Sequence, residues 1–243
     1  MRQITLIIIG LLVLAGCGSD KGSNQANQTG TDAANQAVDT LAMHKLLYRN
    51  AADSLVGHFS KALKGELLEA LNEGEAVGAI SVCKEIAPAI AESHSVGGWT
   101  IKRVSDRFRN PDNRVDTIQQ HRMSDFHDTS STAPTFLVDW QKHEADDGMT
   151  FTYYQPIRIQ PLCLKCHGDL QTLGPGVYDT LRKYYPLDRA TGYRTGDLRG
   201  MFVVTADYPT DMETAELLVS GQFQPMVEDS VAEEAKQPSD SPQ

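Results

Sequence analysis

Cysteine is scarce in this chain: four in 243 residues, at positions 17, 83, 163 and 166. Thiols so few and so unevenly spaced exclude a disulfide scaffold and leave each one to be explained separately. There is no block of Lys or Arg, and 22 basic side chains stand against 32 acidic ones for a net charge of −10. A phosphate-tracking surface, and with it a nucleic acid partner, is excluded. The apolar run Ile4 to Ala15, broken by Thr5 and Gly10, is short; spanning ~30 Å of hydrocarbon takes about 20 helical residues. No internal repeat is visible, and 40% hydrophobic with 22% charged residues excludes a collagen-like or wholly disordered chain. Part of the acidity is peripheral: residues 227–243 carry Glu228, Asp229, Glu233, Glu234 and Asp240 against Lys236, a disordered acidic tail.

What is there begins with an address. Met1, Arg2 and Gln3 precede the short apolar stretch, which ends in Leu14-Ala15-Gly16-Cys17. Charge, apolar stretch and small-residue site form an export signal over residues 1–16. The last four residues resemble a bacterial lipobox, which makes Cys17 a lipidation site. Acyl chains on Cys17 anchor the mature protein to a membrane, each buried CH₂ contributing roughly 0.8 kcal/mol. The resemblance implies a periplasm-facing lipoprotein of the cell envelope, and Gly18 after the cysteine favours the outer membrane in a Gram-negative source. Residues 17–37 hold almost no large apolar side chain, so a flexible linker is expected there.

A single domain is expected over 38–226. Apolar residues at helical spacing run from Ala37 to about Leu71, and Asn72 to Gly74 stops them. A second helix, Glu75 to Ser93, places Cys83 on its buried stripe, with a kink or break at Pro88 one turn beyond. Four β-rich segments follow: Trp99 to Val104, Thr135 to Gln141, Thr150 to Ile159 and Met201 to Tyr208. Helices are expected near Asp116 to His127, Gly176 to Tyr184 and Thr210 to Leu218. The order predicts an α+β, PAS-like antiparallel sheet with N-terminal helices, the helices lying on one side.

Cys163-Leu164-Lys165-Cys166-His167 is a CxxCH sequence, the attachment signal of c-type haem. Two thiols three positions apart add to the two vinyl groups of one porphyrin, and the adjacent imidazole is brought under the iron. His167 is then the proximal ligand. Such attachment takes place outside the bacterial cytoplasm, the compartment the export signal also requires. A zinc site lacks a second ligand pair at suitable spacing, a thioredoxin-like CxxC lacks its βαβ setting, and a Cys163–Cys166 disulfide leaves His167 unexplained. The residues alone leave the second axial position open among Cys83, the six methionines after Met1 and the remaining histidines. His58 and His94 lie on or beside predicted helices; His44, His121, His127 and His143 lie in polar surroundings. Arg103, Arg107 and Arg109 can pair with porphyrin carboxylates, Arg103 and Arg109 being the leading candidates.

Five motifs in order then resemble the Tll-type haem c domains of cyanobacteria and proteobacteria, often found as extracytoplasmic sensor regions. They are Ala79-Ile80-Ser81-Val82-Cys83 with Ala87-Pro88-Ala89-Ile90-Ala91; Arg103-Val104-Ser105 with Arg109-Asn110-Pro111 and Asn113; Tyr154-Gln155-Pro156-Ile157; the CxxCH with Gly168; and Tyr185 to Tyr193 leading to Gly196-Asp197-Leu198-Arg199-Gly200. The chain departs at Val115 and Gln119, where the family commonly has proline and glutamate. The resemblance implies a PAS-like fold and a cysteine thiolate from an N-terminal helix as second ligand, which makes Cys83 the partner of His167. A thiolate favours Fe(III), so a low potential follows.

The expected protein is an exported, membrane-anchored carrier of one covalent haem c, acting in redox or small-ligand sensing or in electron transfer. Its partners are a membrane and an unidentified redox or signalling protein. A peroxidase-like periplasmic enzyme is the alternative; it needs an open iron position and a distal acid/base pair, and no clear pair is present. An enzyme is therefore not expected. With lipid, thioethers and iron assigned, no cysteine pair is left for a disulfide.

Overall fold

The structure, a computed structural model, describes residues 25–73, 76–127 and 134–226. The expected export signal, Cys17 and the acidic tail lie outside the described residues. Helix α1 (Gln25–Glu73) begins well before the expected Ala37, inside the segment read as a flexible linker. Ala33, Ala34 and Ala37, with the glutamines between and before them, are good helix formers. Extending an existing helix over such residues requires no apolar surface, because the nucleation cost is already met. The described residues up to Met43 group as one unit and those from His44 as another.

In the second unit, Tyr48, Ala51, Ala52, Leu55, Val56 and Phe59 recur at three- and four-residue steps and are all buried. This stripe lies on one face of a sheet built from β1 (Thr100–Val104), β2 (Leu137–Lys142), β3 (Met149–Arg158) and β4 (Leu198–Tyr208). The strands are antiparallel in the order β1-β4-β3-β2. The face toward α1 carries Ile101, Phe151, Tyr153, Phe202, Val204 and Ala206; α3 (Ala87–Ser93) adds Ile90, and α7 (Met212–Ser220) adds Ala215 and Leu218. Trp99, whose Nε1 donates to the Asp211 carbonyl at 2.9 Å, closes this core. Each such large side chain contributes about 1.5–3 kcal/mol on burial.

The opposite face is also covered, contrary to the expectation of helices on one side. There Val104, Tyr154, Met201 and Val203 receive Met123 and Phe126 of α4 (Thr117–Phe126). The helix looks polar because its buried stripe is only Gln119, Met123 and Phe126. Gln119, one of the two departures from the family pattern, closes a capping box. Its backbone N–H donates to Asp116 Oδ1 at 2.8 Å and its Oε1 accepts the Asp116 N–H at 3.2 Å.

His94 sits in the first core, its Nδ1 donating to the Ile90 carbonyl at 2.8 Å. Burial holds its pKa below the ordinary value. The unfolded chain therefore binds a proton there before the folded one does, and the resulting loss of stability sets in as pH falls below about 6.5. Replacing His94 with Gln should flatten the decline in unfolding free energy between about pH 6.5 and 5, by at most ~1.4 kcal/mol per pH unit. Urea titrations across that range check this, and equal slopes for both proteins would contradict it.

Candidate functional site

The site is assembled from a distorted helix, a tight helical turn and a loop that hold one another. The second predicted helix is three pieces: α2 (Ala76–Ser81), a π-helical turn at Val82–Ile86 and α3. Pro88 has no N–H for the Lys84 carbonyl. The ladder widens just ahead of it, and the Ala87 N–H reaches back to the Val82 carbonyl. The irregularity expected one turn beyond Cys83 thus falls on Cys83 itself. The thiol is half-buried at that turn and unbridged; π-turns of this kind are frequent at functional sites.

The CxxCH begins in a 3₁₀ turn at Pro161–Cys163 and continues as α5 (Leu164–His167). Cys163 and Cys166 are free, half-buried thiols. Cys163 packs beside Ile159, Ala190 and Tyr193, and its Sγ accepts the Gln160 N–H at 3.3 Å. Cys166 packs beside Ile80 and against Val177, Leu181 and Tyr185 of α6 (Val177–Tyr184) and the residue that follows it. Gly168 ends the turn because a Cβ there would lie 2.6 Å from the Leu164 carbonyl oxygen. Its own carbonyl accepts the Gly192 N–H at 2.7 Å, and the His167 carbonyl accepts the Tyr193 N–H at 2.9 Å. The loop 185–193 is therefore stitched directly to the imidazole's backbone.

That loop also sets the imidazole. The Ala190 carbonyl can only accept, so the 2.6 Å contact with His167 Nδ1 places the proton on Nδ1 and leaves the Nε2 lone pair for a ligand. Backbone carbonyls play this orienting part at metal-binding histidines. Burial, reinforced by the Arg109 and Arg199 guanidiniums, pushes the imidazole's pKa well below its ordinary value and keeps it neutral. Burial also raises the Cys166 thiol, with Arg109 opposing.

Arg109 is 6% exposed and committed to protein oxygens. Its Nε meets Asp188 Oδ2 at 3.1 Å, and its Nη2 donates to the Cys166 carbonyl at 2.6 Å and the Ala190 carbonyl at 3.2 Å. A residue expected at a cofactor's carboxylates instead ties the CxxCH turn to the loop behind it. Arg107 likewise donates to the Arg189 and Thr191 carbonyls. Arg103 differs: its guanidinium lies over the Phe59 ring, 5.6 Å from the centroid, with no hydrogen bond or ion pair to another described residue. Burial lowers its pKa, and Cys83 and Tyr185 oppose that shift.

Cys83 is close enough to act electrostatically on Cys166, Arg103 and Tyr185, whose phenol burial pushes up to about 12. Cys166 also packs beside Ile80, three residues before Cys83, so Cys83 and the CxxCH lie at one site. The structure places other candidates elsewhere: His58 and His94 share a cleft with Phe223, His44 bonds the Tyr208 hydroxyl, His127 pairs with Asp106 and His143 braces the β2–β3 turn. Among the described residues no group of three or more His, Cys, Asp or Glu side chains is placed to hold a metal ion by itself. One protein imidazole and one thiol suit an iron whose equatorial positions a porphyrin fills. Arg199, absent from the sequence expectations, belongs to the same field, acting on His167 and sensing Arg109 and Arg103.

The Tll0287-like family matches residues 23–206. A crystal structure of the cyanobacterial haem protein Tll0287 is similar at 22% identity, over 70% of this chain and 96% of that one, with a TM-score of 0.38. No curated protein matches.

Proposed function

This chain belongs to the Tll0287-like family, and we propose that it is a haem-binding protein of c type, anchored in the cell envelope and serving redox or small-ligand sensing or electron transfer rather than catalysis. One arrangement carries the reading: an imidazole with Nδ1 fixed on Ala190 and Nε2 left for a ligand, next in sequence to two unbridged thiols, with a third thiol acting electrostatically on Cys166. Cys163 and Cys166 would form the thioethers to one haem, and His167 and Cys83 would hold its iron. When bound, haem supplies a one-electron Fe(III)/Fe(II) couple. The residues do the rest. Ala190 orients His167, the π-turn presents Cys83, and neutral His167 offers its nitrogen without a proton to displace. With His167 and Cys83 both committed to the iron, an outside ligand would need Cys83 to give way. Cys17 carries the lipid anchor, and a separate protein receives the electron or the signal.

The test is absorption spectroscopy of protein matured with the haem c assembly machinery. Wild type should carry one haem per chain, and Cys83→Ala should keep it with a displaced Soret band. Without the anionic donor, the midpoint potential should rise by at least about 59 mV, the shift for a tenfold change in a one-electron equilibrium. Wild type without covalent haem overturns the proposal. A Soret band and potential unchanged in Cys83→Ala overturn the thiolate assignment alone.

A further inference from the structure

Strand β4 carries an irregularity that strict alternation does not anticipate. Ile157 pairs with Gly200 and the next residue, Arg158, pairs with Leu198, so Arg199 is an extra residue without a partner on β3. It is a β-bulge, a device that re-aims a side chain and is enriched beside active sites. The evidence of re-aiming is local. Leu198 and Met201, three positions apart, share the layer facing α4. Arg199 leaves that layer and lies by Tyr193, its guanidinium 5.8 Å from the ring centroid, with Nη1 donating to the Arg107 carbonyl at 3.2 Å.

Arg199 has no ion pair with any described residue, and neither has Arg103. Asp188, the acid inside the cluster, is already paired with Arg109. Burial disfavours the charge on both guanidiniums, and on Arg199 the neighbouring Arg109 and Arg103 add to this. Arginine stays charged in proteins, and both side chains are half-buried, so each holds a cation that no carboxylate among the described residues neutralises. With nothing among the described residues to neutralise them, the arrangement suits two anionic groups of the planar kind to which a guanidinium fork donates.

We infer that Arg199, aimed by the bulge, and Arg103, laid over Phe59, each receive one of the two propionate carboxylates of the haem, while Arg109 holds the protein around them. This rests on the haem c reading above. Arg199 is thereby a cofactor-positioning residue, and the charge it neutralises lies within electrostatic range of the iron's imidazole.

The test uses matured holoprotein of wild type, Arg103→Gln, Arg199→Gln, Arg199→Lys and, as a control on the exposed turn, Arg194→Gln. Resonance Raman bands of propionate bending respond to hydrogen bonding at the carboxylates. Each Gln variant should shift these bands, and its midpoint potential should fall and become more dependent on pH as an unpaired propionate gains proton affinity. Arg199→Lys should keep the wild-type pH profile, because the charge remains, while shifting the bands, because the fork is lost. Arg194→Gln should change neither. Haem attached normally with bands and pH profile unchanged in Arg199→Gln overturns the inference and leaves the haem c reading intact. If Arg199→Gln fails to mature, Arg199→Lys decides, and bands identical to wild type overturn the inference. Absence of covalent haem from wild type overturns the parent reading instead.

Discussion

A Cys163→Ala/Cys166→Ala double variant should lose all haem from the polypeptide on acid–acetone extraction, under conditions in which wild type keeps it. Thioether bonds survive loss of the fold and loss of iron ligation, so retention after extraction reports the two sulfurs and nothing else. Single variants should retain less haem than wild type and show the absorption of one unreacted vinyl group. The apo-protein should be affected far less. Both thiols are half-buried and touch the edges of small clusters, Cys163 by Ile159, Ala190 and Tyr193 and Cys166 by Ile80, Val177, Leu181 and Tyr185. Trimming a partly buried sulfur there should cost about 1 kcal/mol, below the usual range for emptying a core site. Urea denaturation of the apo forms separates the two effects. A double variant that keeps haem through extraction removes the covalent assignment, and one that fails to fold as apo-protein shows that the thiols also carry structure.

The sequence made much of this legible, for reasons that differ by element. The four strands fall within a few residues of their expected bounds because Val, Ile, Tyr, Phe and Thr cluster between turn residues there. The sequence places a helix near Asp116 to His127, yet a stripe of Gln119, Met123 and Phe126 is too narrow for periodicity to reveal which face it covers. Pro88 signalled a distortion, and only the hydrogen-bond ladder shows it resolved upstream as a π-turn on Cys83. Residue type and motif are what single out the CxxCH, Cys83 and Arg103 in the sequence. Arg199 was missed because a bulge depends on the register of two strands far apart in sequence, and Arg109 looked available because nothing local shows a salt bridge across 79 residues. The Gly196-Asp197-Leu198-Arg199-Gly200 run was the one available sign. Gly200 has a physical reason, since a Cβ there would lie 2.4 Å from the Val104 carbonyl oxygen. Such a residue marks close backbone approach beside the bulge.

Arg109 is the residue whose replacement should damage the fold most. Arg109→Met should cost about 3–5 kcal/mol, the range for removing one member of a buried ion pair. The cost has identifiable parts. Asp188, its side chain 11% exposed, loses its counter-ion, and the Cys166 carbonyl loses its 2.6 Å donor. Asp188 Oδ1 still accepts the Ala190 N–H at 2.7 Å, so Asp188→Asn should cost less than Arg109→Met, because a neutral amide keeps an acceptor there. Arg109→Met/Asp188→Leu should be milder than the two separate losses added, since no charge is left stranded. The damage should reach the site through the Ala190 carbonyl, which Arg109 shares with His167 Nδ1. Loosening an orienting partner of this kind typically costs 10–100-fold in metal affinity. In matured Arg109→Met the axial His167 bond should therefore break at higher pH on acid titration than in wild type, with the Soret band reporting the break. Urea titration of the three variants checks the energetics. A loss below about 1 kcal/mol in Arg109→Met, the scale of an exposed ion pair, would show that the clamp contributes little; a large loss with an unmoved acid transition would confine its role to folding.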